Sequence, residues 1–230
     1  MPPTRADRRQ DVTDRILEIG RRHLAEEGAA GLSLRAVTRE LGMVSSAVYR
    51  YVANRDELLT LLVVDAYTDL ADAVDAAVAD AARRSWRERL VVGALAFRAW
   101  AVADPARYAL LYGSPVPGYV APAERTTEPG TRVVLMMAAL VAEGAALGEV
   151  TNRSAGVPLP RSLATELTPL AAEVGLPGSP AVAARAAHLW ATLVGAVSLE
   201  VFGQYGPDGP PAGADLLEHQ VRLVLHTLTT

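Results

Sequence analysis

The 230-residue chain contains no cysteine and no lysine, and only 5% of its residues are aromatic. The absence of cysteine excludes disulfides, thiolate zinc sites, iron–sulfur clusters and a cysteine nucleophile. Because lysine is absent, the 22 Lys-plus-Arg positions are all arginine. Half of the residues are hydrophobic and 21% are charged, which is the composition of a globular protein and excludes a chain that is disordered throughout.

Long apolar runs and targeting signals are also missing. In the richest apolar stretch, Arg98, Asp104 and Arg107 interrupt the chain before it reaches the roughly 18 residues needed to cross a bilayer. The N-terminal segment MPPTRADRRQ is charged and lacks the apolar core of a signal peptide. We therefore expect a cytoplasmic protein with no membrane partner.

Patterns that carry catalysis or bind metals are sparse. No HExxH, GxSxG, GxGxxG or P-loop pattern is present, and the four histidines, His23, His188, His219 and His226, are scattered. His23 continues the apolar stripe of the first predicted helix, which indicates a core or interface histidine. His219 and His226 lie on one face of the last predicted helix and indicate a solvated or interface pair, with metal held across a dimer as the alternative. We expect no enzymatic activity, no metal and no cofactor.

Charge is unevenly distributed along the chain. The whole chain has a net charge of −4, but residues 1–55 carry a net +3 and the remainder carries a net −7. A basic first segment on an acidic body is typical of a protein whose first part meets a polyanion. Sampling alone would also produce an asymmetry of this size.

Helical periodicity dominates the sequence, so we predict an all-α fold. A first helix over about 9–27 ends at Gly28, and Ser33 is a suitable N-cap for a short second helix that ends at Gly42. Asn54, followed three residues later by Glu57, predicts a capping box that opens a long fourth helix. Further helices are predicted at about 85–103, 105–113, 128–148, 162–174, 181–205 and 212–228, with Pro/Gly-rich loops at 114–118 and 206–211. The predicted domains are 1–55 and 56–230.

Between Ser33 and Tyr51, two short helices flank a glycine in a tight turn, which is the spacing of a helix-turn-helix. Leu34, Val37, Leu41 and Val48 can pin the pair onto the first helix. The third helix, predicted from Ser45 to Tyr51, would then present small and polar side chains to a DNA major groove, which is about 12 Å wide. The pattern is common among helical proteins, so by itself it also fits a chain that does not bind DNA.

The amino-acid sequence of residues 8–65 gives a more specific signal. The segments GLSLR (31–35), LG (41–42), VYRYV (48–52) and NRDELL (54–59) resemble the DNA-binding domain of TetR-family transcriptional regulators. The resemblance implies a phosphate contact for Ser33 and a base contact for Arg35. It also implies that Ser45, Ser46 and Ala47 form the groove-facing start of the recognition helix. Tyr49 and Tyr51 correspond to the family's two aromatic phosphate contacts. The DNA-contacting set that we expect is Ser33, Arg35, Ser45, Ser46, Ala47, Tyr49, Arg50, Tyr51 and Arg55. Arg55 stands where the family usually has a lysine that grips a phosphate.

Two residues depart from the family pattern in this region. Val44 replaces the common small polar residue before the recognition helix, and Thr38 replaces the usual alanine. Neither change removes a hydrogen-bond donor, but Val44 could change which base is read.

The second half resembles the ligand-binding and dimerisation domain of a TetR subgroup that is marked by a Trp-His-Gly motif. The likeness lies in residues 104–108, 112–119 and 190–195. Val194 stands where the motif has histidine, so only packing roles for Trp190 and Gly195 carry over.

Aromatic residues and methionines fall on the helices that the family architecture places around an inducer. The residues expected to line a ligand cavity are Phe97, Trp100, Tyr108, Tyr112, Met136, Met137 and Trp190. At helical spacing each of them could equally be an ordinary core residue.

We therefore expect a two-domain homodimer that binds a palindromic operator in double-stranded DNA and is released, as a repressor, by a small-molecule inducer. The last two long helices should form the dimer, since Ala183, Ala187, Ala191 and Gly195 repeat every four residues. One alternative is a regulator that binds DNA without any ligand. A more remote one is a helical small-molecule carrier or enzyme.

Overall fold

The protein is described here by a computed structural model that covers residues 4–151, 157–173, 176, 179–206, 209 and 212–229. All regular structure within these ranges is helical, which confirms the predicted fold class. The helices are α1 (Arg5–Gly31), α2 (Leu34–Glu40), α3 (Ser45–Val48), α4 (Arg55–Asp80), α5 (Trp86–Ala103), α6 (Pro105–Tyr112), α7 (Ala123–Ala146), α8 (Arg161–Glu173), α9 (Pro180–Val201) and α10 (Gly213–Thr229).

The predicted helix boundaries in the first 60 residues are largely confirmed. Gly28 has a left-handed backbone (φ 67°) that interrupts α1, although helical geometry resumes as far as Gly31. The Ser33 hydroxyl caps α2 by accepting from the Ala36 N–H, and Gly42 adopts the left-handed turn conformation (φ 66°). Asn54 Oδ1 accepts from the backbone N–H of Glu57 at 2.8 Å, so the predicted cap of α4 is present.

Three helices differ from prediction. α3 ends at Val48, because the next residues bond three positions back, as Tyr51 N–H does to Val48 O at 2.8 Å. α7 begins at Ala123, about five residues earlier than predicted, so that Pro129 lies inside the helix and not in its first turn. α9 ends at Val201, four residues earlier than predicted, and turns replace its last part. The segment 114–118 is a loop as predicted, whereas most of 206–211 lies outside the described residues.

The chain forms two compact units whose boundary differs from the predicted one at residue 55. The first unit comprises Met1–Asp69 and Asp104–Gly130, and the second comprises Leu70–Ala103 and Thr131–Thr230. The boundaries therefore fall within α4 and α7, and α6 belongs to the first unit. Sequence patterning missed this because the chain returns to the first unit only after leaving it for α5.

Each unit has its own apolar core. In the first, Ile16 of α1, Val37 of α2, Val48 of α3 and Leu58 of α4 are fully buried in one cluster. In the second, α9 packs on α5, α8 and α10, and α5 also packs on α10. The large buried side chains of this core include Trp86, Phe97, Leu90, Leu189 and Leu193.

α7 and α9 correct the expectation that no segment is long and apolar enough to span a membrane. Each contains an 18-residue stretch of high mean hydropathy, 1.2 in α7 and 1.4 in α9, and 39% and 33% of these stretches are buried. The stretch that Arg98, Asp104 and Arg107 interrupt is therefore not the most apolar one among the described residues. Core helices of globular proteins have the same length and composition, so this feature does not indicate a membrane role.

Candidate functional site

The helix-turn-helix is formed by α2, the turn at Gly42 and α3. Leu34, Val37, Leu41 and Val48 are buried, as the sequence predicted, and pack with side chains of α1 and α4. Burial of these residues on one side leaves the opposite side of α2 and α3 for solvent. The motif is therefore held as a rigid element whose outer side is free to meet another molecule.

The outer side of the motif is basic and polar, with one apolar exception. Arg35, Arg39 and Arg50 are exposed, and the Tyr49 side chain is 47% exposed. Val44, directly before α3, is 73% exposed, which is unusual for a residue of its type. The side chains of Ser45 and Ser46 lie outside the described part of the structure. The five described residues are called the outer set below.

Ala47 and Tyr51 lie differently from the sequence expectation. Ala47 is 9% exposed and belongs to the buried residues. Tyr51 is half-buried and packs against the apolar cluster of the first unit. Ala47 therefore presents no side chain to a groove, and the Tyr51 ring is partly used in packing.

Arg55 has an intramolecular role that the resemblance did not imply. Its guanidinium donates to three backbone carbonyls at the end of α1: Nε to Leu32 O at 3.0 Å, and Nη2 to Ala29 O at 2.9 Å and Ala30 O at 3.1 Å. These carbonyls follow the break at Gly28 and would otherwise lack partners. Arg55 thus joins the start of α4 to the end of α1 through Nε and Nη2, while Nη1 lies 4.0 Å from the exposed Asp56 carboxylate.

An ion-pair cluster in the first unit was not anticipated. The Arg107 guanidinium of α6 is nearly buried and contacts Asp65 at 3.1 Å and Asp69 at 2.7 Å, both on α4. Arg21 of α1 also binds Asp65, and this hydrogen bond raises the pKa of Arg21. Three helices distant in sequence meet here, and charged residues at single positions give no periodic signal from which such a meeting could be predicted.

The tyrosines expected to line a ligand cavity form a separate group in the first unit. Tyr108 is fully buried, and its ring centroid lies 5.0 Å from that of Tyr112. Tyr112 in turn meets Tyr67 edge to face at 6.3 Å. Burial raises the pKa of both Tyr67 and Tyr112, so these phenols stay protonated at neutral pH.

An apolar cavity that opens to solvent lies in the second unit between α7, α8 and α9. Its volume is about 230 Å³. Among the described residues, those that line it are all apolar: Val134, Met137, Ala138, Val141, Leu167, Leu170, Ala171, Leu176, Ala183, Ala186, Ala187, Leu189 and Trp190. Two of the expected ligand residues, Met137 and Trp190, are among them.

The other expected ligand residues of the second unit do not line this cavity. Phe97 is fully buried and packs edge to face on Trp190 at 5.8 Å, so it supports the wall from behind. Met136 lies close to Gly93, where an added Cβ would meet its Cε at 3.3 Å, which places it against α5. Trp100 is half-buried on α5. α8 forms one wall of the cavity with Leu167, Leu170 and Ala171. None of these three residues was among the expected ligand contacts.

Arg185 is a second residue that sequence reasoning missed. It lies on the cavity helix α9 but is 9% exposed and donates only to backbone carbonyls, among them Ala181 O at 3.1 Å and Thr227 O at 2.7 Å, and to Thr151 O. Burial without a carboxylate partner lowers its pKa. The guanidinium therefore joins α9 to the end of α10 and does not line the cavity.

The four histidines do not come together in the structure. His23 lies half-buried and its Nε2 is 2.9 Å from Glu40 Oε2, whereas His188, His219 and His226 are exposed. Among the described residues, no group of three or more His, Asp or Glu side chains could hold a metal ion.

Comparison with known proteins matches both parts of the chain. Residues 16–62 match the family described as bacterial regulatory proteins, tetR family, and residues 90–224 match the family described as tetracyclin repressor-like, C-terminal domain. The HTH-type transcriptional regulators Mb1846 of Mycobacterium bovis (strain ATCC BAA-935 / AF2122/97) and Rv1816 of Mycobacterium tuberculosis (strain ATCC 25618 / H37Rv) are each 50% identical over 224 residues, which is 97% of this chain and 95% of theirs.

Solved structures agree with this likeness. The crystal structure of SCO4313 has a TM-score of 0.77 at 32% identity and covers 97% of this chain and 100% of that one. A protein from Rhodococcus sp. RHA1, at 23% identity, shares the fold with a TM-score of 0.71 over 95% of this chain and 96% of its own. With its helix-turn-helix and helical C-terminal domain, and with half of its residues shared with two HTH-type regulators, the chain belongs to the TetR family of transcriptional regulators, which are DNA-binding proteins and not enzymes.

Proposed function

We propose that this regulator is a cytoplasmic homodimeric repressor that binds a palindromic operator and is released when a small molecule fills the cavity between α7, α8 and α9. The observation that carries the proposal is the apolar cavity of about 230 Å³ in the second unit of a chain whose first unit presents a helix-turn-helix. Cavities of this kind are the usual sites of small ligands.

The proposed DNA contacts start from the outer set. Arg35 and Arg50 are exposed cations, and Arg35 can reach base edges as a planar fork. Tyr49 has a half-exposed ring and hydroxyl, which suits a phosphate contact. Ser33, Ser45, Ser46 and Tyr51 complete the proposed set. Ala47 and Arg55 are left out of it, because the first is buried and the second is bound to carbonyls.

The proposed dimer interface is formed by α9 and α10. Ala187, Ala191 and Gly195 repeat along one face of α9 and are exposed, so a partner helix could approach this face closely. On α10, Leu223 is 55% exposed. Exposed apolar positions at regular spacing favour burial against a second helical pair. Ala183, the first member of the predicted stripe, is buried and lines the cavity instead.

The proposed path from cavity to helix-turn-helix runs along α7. One half of this helix supplies Val134, Met137 and Val141 to the cavity wall. The other half lies in the first unit, where Arg125 binds Glu57 in the first turn of α4. Displacement of α7 by a ligand would therefore move the helix that follows the recognition element. The two recognition helices of a dimer must lie about 34–36 Å apart to enter successive major grooves, so a shift of a few Å weakens binding at both half-sites.

The subgroup with a Trp-His-Gly motif remains a proposal for the second unit. Trp190 packs between Phe97 and the cavity, which fits a packing role. Gly195 has open space beside it, which fits a close helix contact in the proposed dimer. Val194 at the histidine position cannot donate a hydrogen bond, so any response that needs this group is absent here.

Selection of bound DNA from a random pool tests the proposal. We expect enrichment of a palindrome with half-sites one helical turn apart, bound by two chains. An operator affinity that no cavity-filling compound changes would favour the alternative of a regulator without ligand. Failure to enrich any sequence would contradict the whole proposal.

A further inference from the structure

Within the described part of the chain, the cavity wall carries no charged group. The described lining side chains are aliphatic apart from Trp190, whose indole N–H is the one polar side-chain group among them. Ligands with a carboxylate or phosphate are normally met by an arginine, a lysine or several N–H donors, because a buried unpaired charge is strongly disfavoured.

The cation on the same helix is not available as a substitute. Arg185 of α9 directs its donors at Ala181 O, Thr227 O and Thr151 O, and is not among the lining residues. Releasing it to meet an anion would leave these buried carbonyls without partners.

The surface of α8, which forms the outer wall, does not attract anions either. Its charged residues in the described range are Arg161, Glu166 and Glu173, all exposed, with a net charge of −1. An anion that approached the cavity along this helix would meet acidic side chains. The net charge of −7 carried by residues 56–230 acts in the same direction.

The volume limits the part of an occupant that lies inside the cavity. A cavity of ~150 Å³ admits benzene, and protein interiors pack to a density of about 0.75. At that density, the 230 Å³ of this cavity is filled by a molecule of about ten carbon atoms.

On these grounds, and resting on the proposed function, we infer that the cavity binds an uncharged hydrocarbon-like ligand of about ten carbon atoms and excludes carboxylates of the same skeleton. The class comprises alkylbenzenes, small terpene hydrocarbons and medium-length alkyl chains. Leu170 of α8 is 53% exposed and marks where such a molecule enters, since Ala187, the exposed lining residue of α9, lies on the face proposed for the dimer.

A matched pair of probes tests the inference on the full-length protein. n-Butylbenzene and 4-phenylbutanoate share a ten-carbon skeleton, and the second carries a carboxylate in place of the terminal methyl group. Measured by titration calorimetry at neutral pH, n-butylbenzene should bind at least about 100-fold more tightly, because the carboxylate would be desolvated without a partner. Equal affinities, a preference for the carboxylate, or no binding of n-butylbenzene would overturn the inference.

A charge introduced into the wall should reverse the preference. Leu170→Arg adds a cation at a half-exposed position that lines the cavity, so 4-phenylbutanoate should bind at least about tenfold more tightly than it does to the parent protein. Leu163→Arg is the matched control, since Leu163 is 40% exposed on the same helix but does not line the cavity. An equal gain in both variants, or no gain at Leu170, would overturn the location of the site.

The outcome is independent of DNA binding. If n-butylbenzene binds as expected but leaves operator affinity unchanged, the ligand-responsive part of the proposed function fails and the inference about the cavity stands. If n-butylbenzene does not bind but a compound of another class releases the operator DNA, the inference fails and the repressor function stands.

Discussion

Arg125 of α7 donates through Nη1 to both carboxylate oxygens of Glu57 on α4, each at 2.8 Å. Glu57 lies three residues after Asn54, at the start of the helix that follows the helix-turn-helix. Farther along, α7 forms part of the cavity wall through Met137 and Val141. The pair therefore connects α7, which forms part of the cavity wall, to the helix that follows the helix-turn-helix.

Breaking this pair should weaken communication and spare both binding activities. For Arg125→Ala, we expect operator affinity and n-butylbenzene affinity, each measured alone, to stay within about twofold of the parent values. The factor by which n-butylbenzene weakens operator binding should fall about 2- to 30-fold, the usual range for residues between coupled sites.

Arg132→Ala is the control for this variant. Arg132 lies on the same helix but contacts Asp72 at 2.8 Å and Asp75 at 2.7 Å, both within the second unit. Its removal should leave the coupling factor unchanged. Equal losses in the two variants would show that α7 loses stability in general and that the Arg125–Glu57 pair has no special part.

Arg55 is expected to matter for folding. Arg55→Ala removes the donors for Ala29 O, Ala30 O and Leu32 O, so the free energy of unfolding should fall by about 1–3 kcal/mol in urea titrations. Arg50→Ala, at an exposed position, should change it by less than about 0.5 kcal/mol. Unchanged stability for Arg55→Ala would return this residue to the set of candidate phosphate contacts.

Arg35 is expected to contribute charge to DNA binding. Arg35→Ala should reduce the slope of log affinity against log salt by roughly 0.9, the value for one phosphate contact, and should weaken discrimination between sequences if Arg35 also reads a base. Arg83→Ala removes the same charge at an exposed position of the second unit and should leave the slope unaltered. A parental slope together with unchanged discrimination between sequences in Arg35→Ala would exclude the contact.

The proposed dimer predicts the effect of a charge on the exposed face of α9. Ala191→Arg should give monomers in light scattering with unchanged helix content, and operator binding should weaken because one half-site loses the effective concentration that the second supplies. Ala139→Arg, at an exposed position of α7, should remain dimeric. Dimers in both variants would place the interface elsewhere.

Local signals in the sequence were sufficient for much of the first unit. The caps at Ser33 and Asn54 and the turn at Gly42 depend on residues within three positions of each other, so pattern analysis finds them. The partner of the Glu57 side chain could not be predicted in this way. A capping box was predicted, yet its carboxylate binds Arg125, which lies 68 residues later in the chain.

The cavity shows the same limit. Aromatic residues on expected helices predicted a pocket that held Tyr108, Tyr112 and Phe97, but the structure uses these rings as packing. Small residues made the space instead: Ala183 and Ala187 on α9 leave room that larger side chains would fill. Free volume arises where small residues of separate helices coincide, and only tertiary structure reveals that coincidence.

The central claim is that the cavity and the operator are coupled, and linkage gives its most direct test. The affinity of n-butylbenzene should be measured with and without saturating operator DNA, because coupling of 1–3 kcal/mol requires operator to weaken ligand binding by the same 5- to 150-fold that ligand weakens operator binding. The account predicts a reciprocal loss of this size. Equal ligand affinities in the two conditions would contradict it.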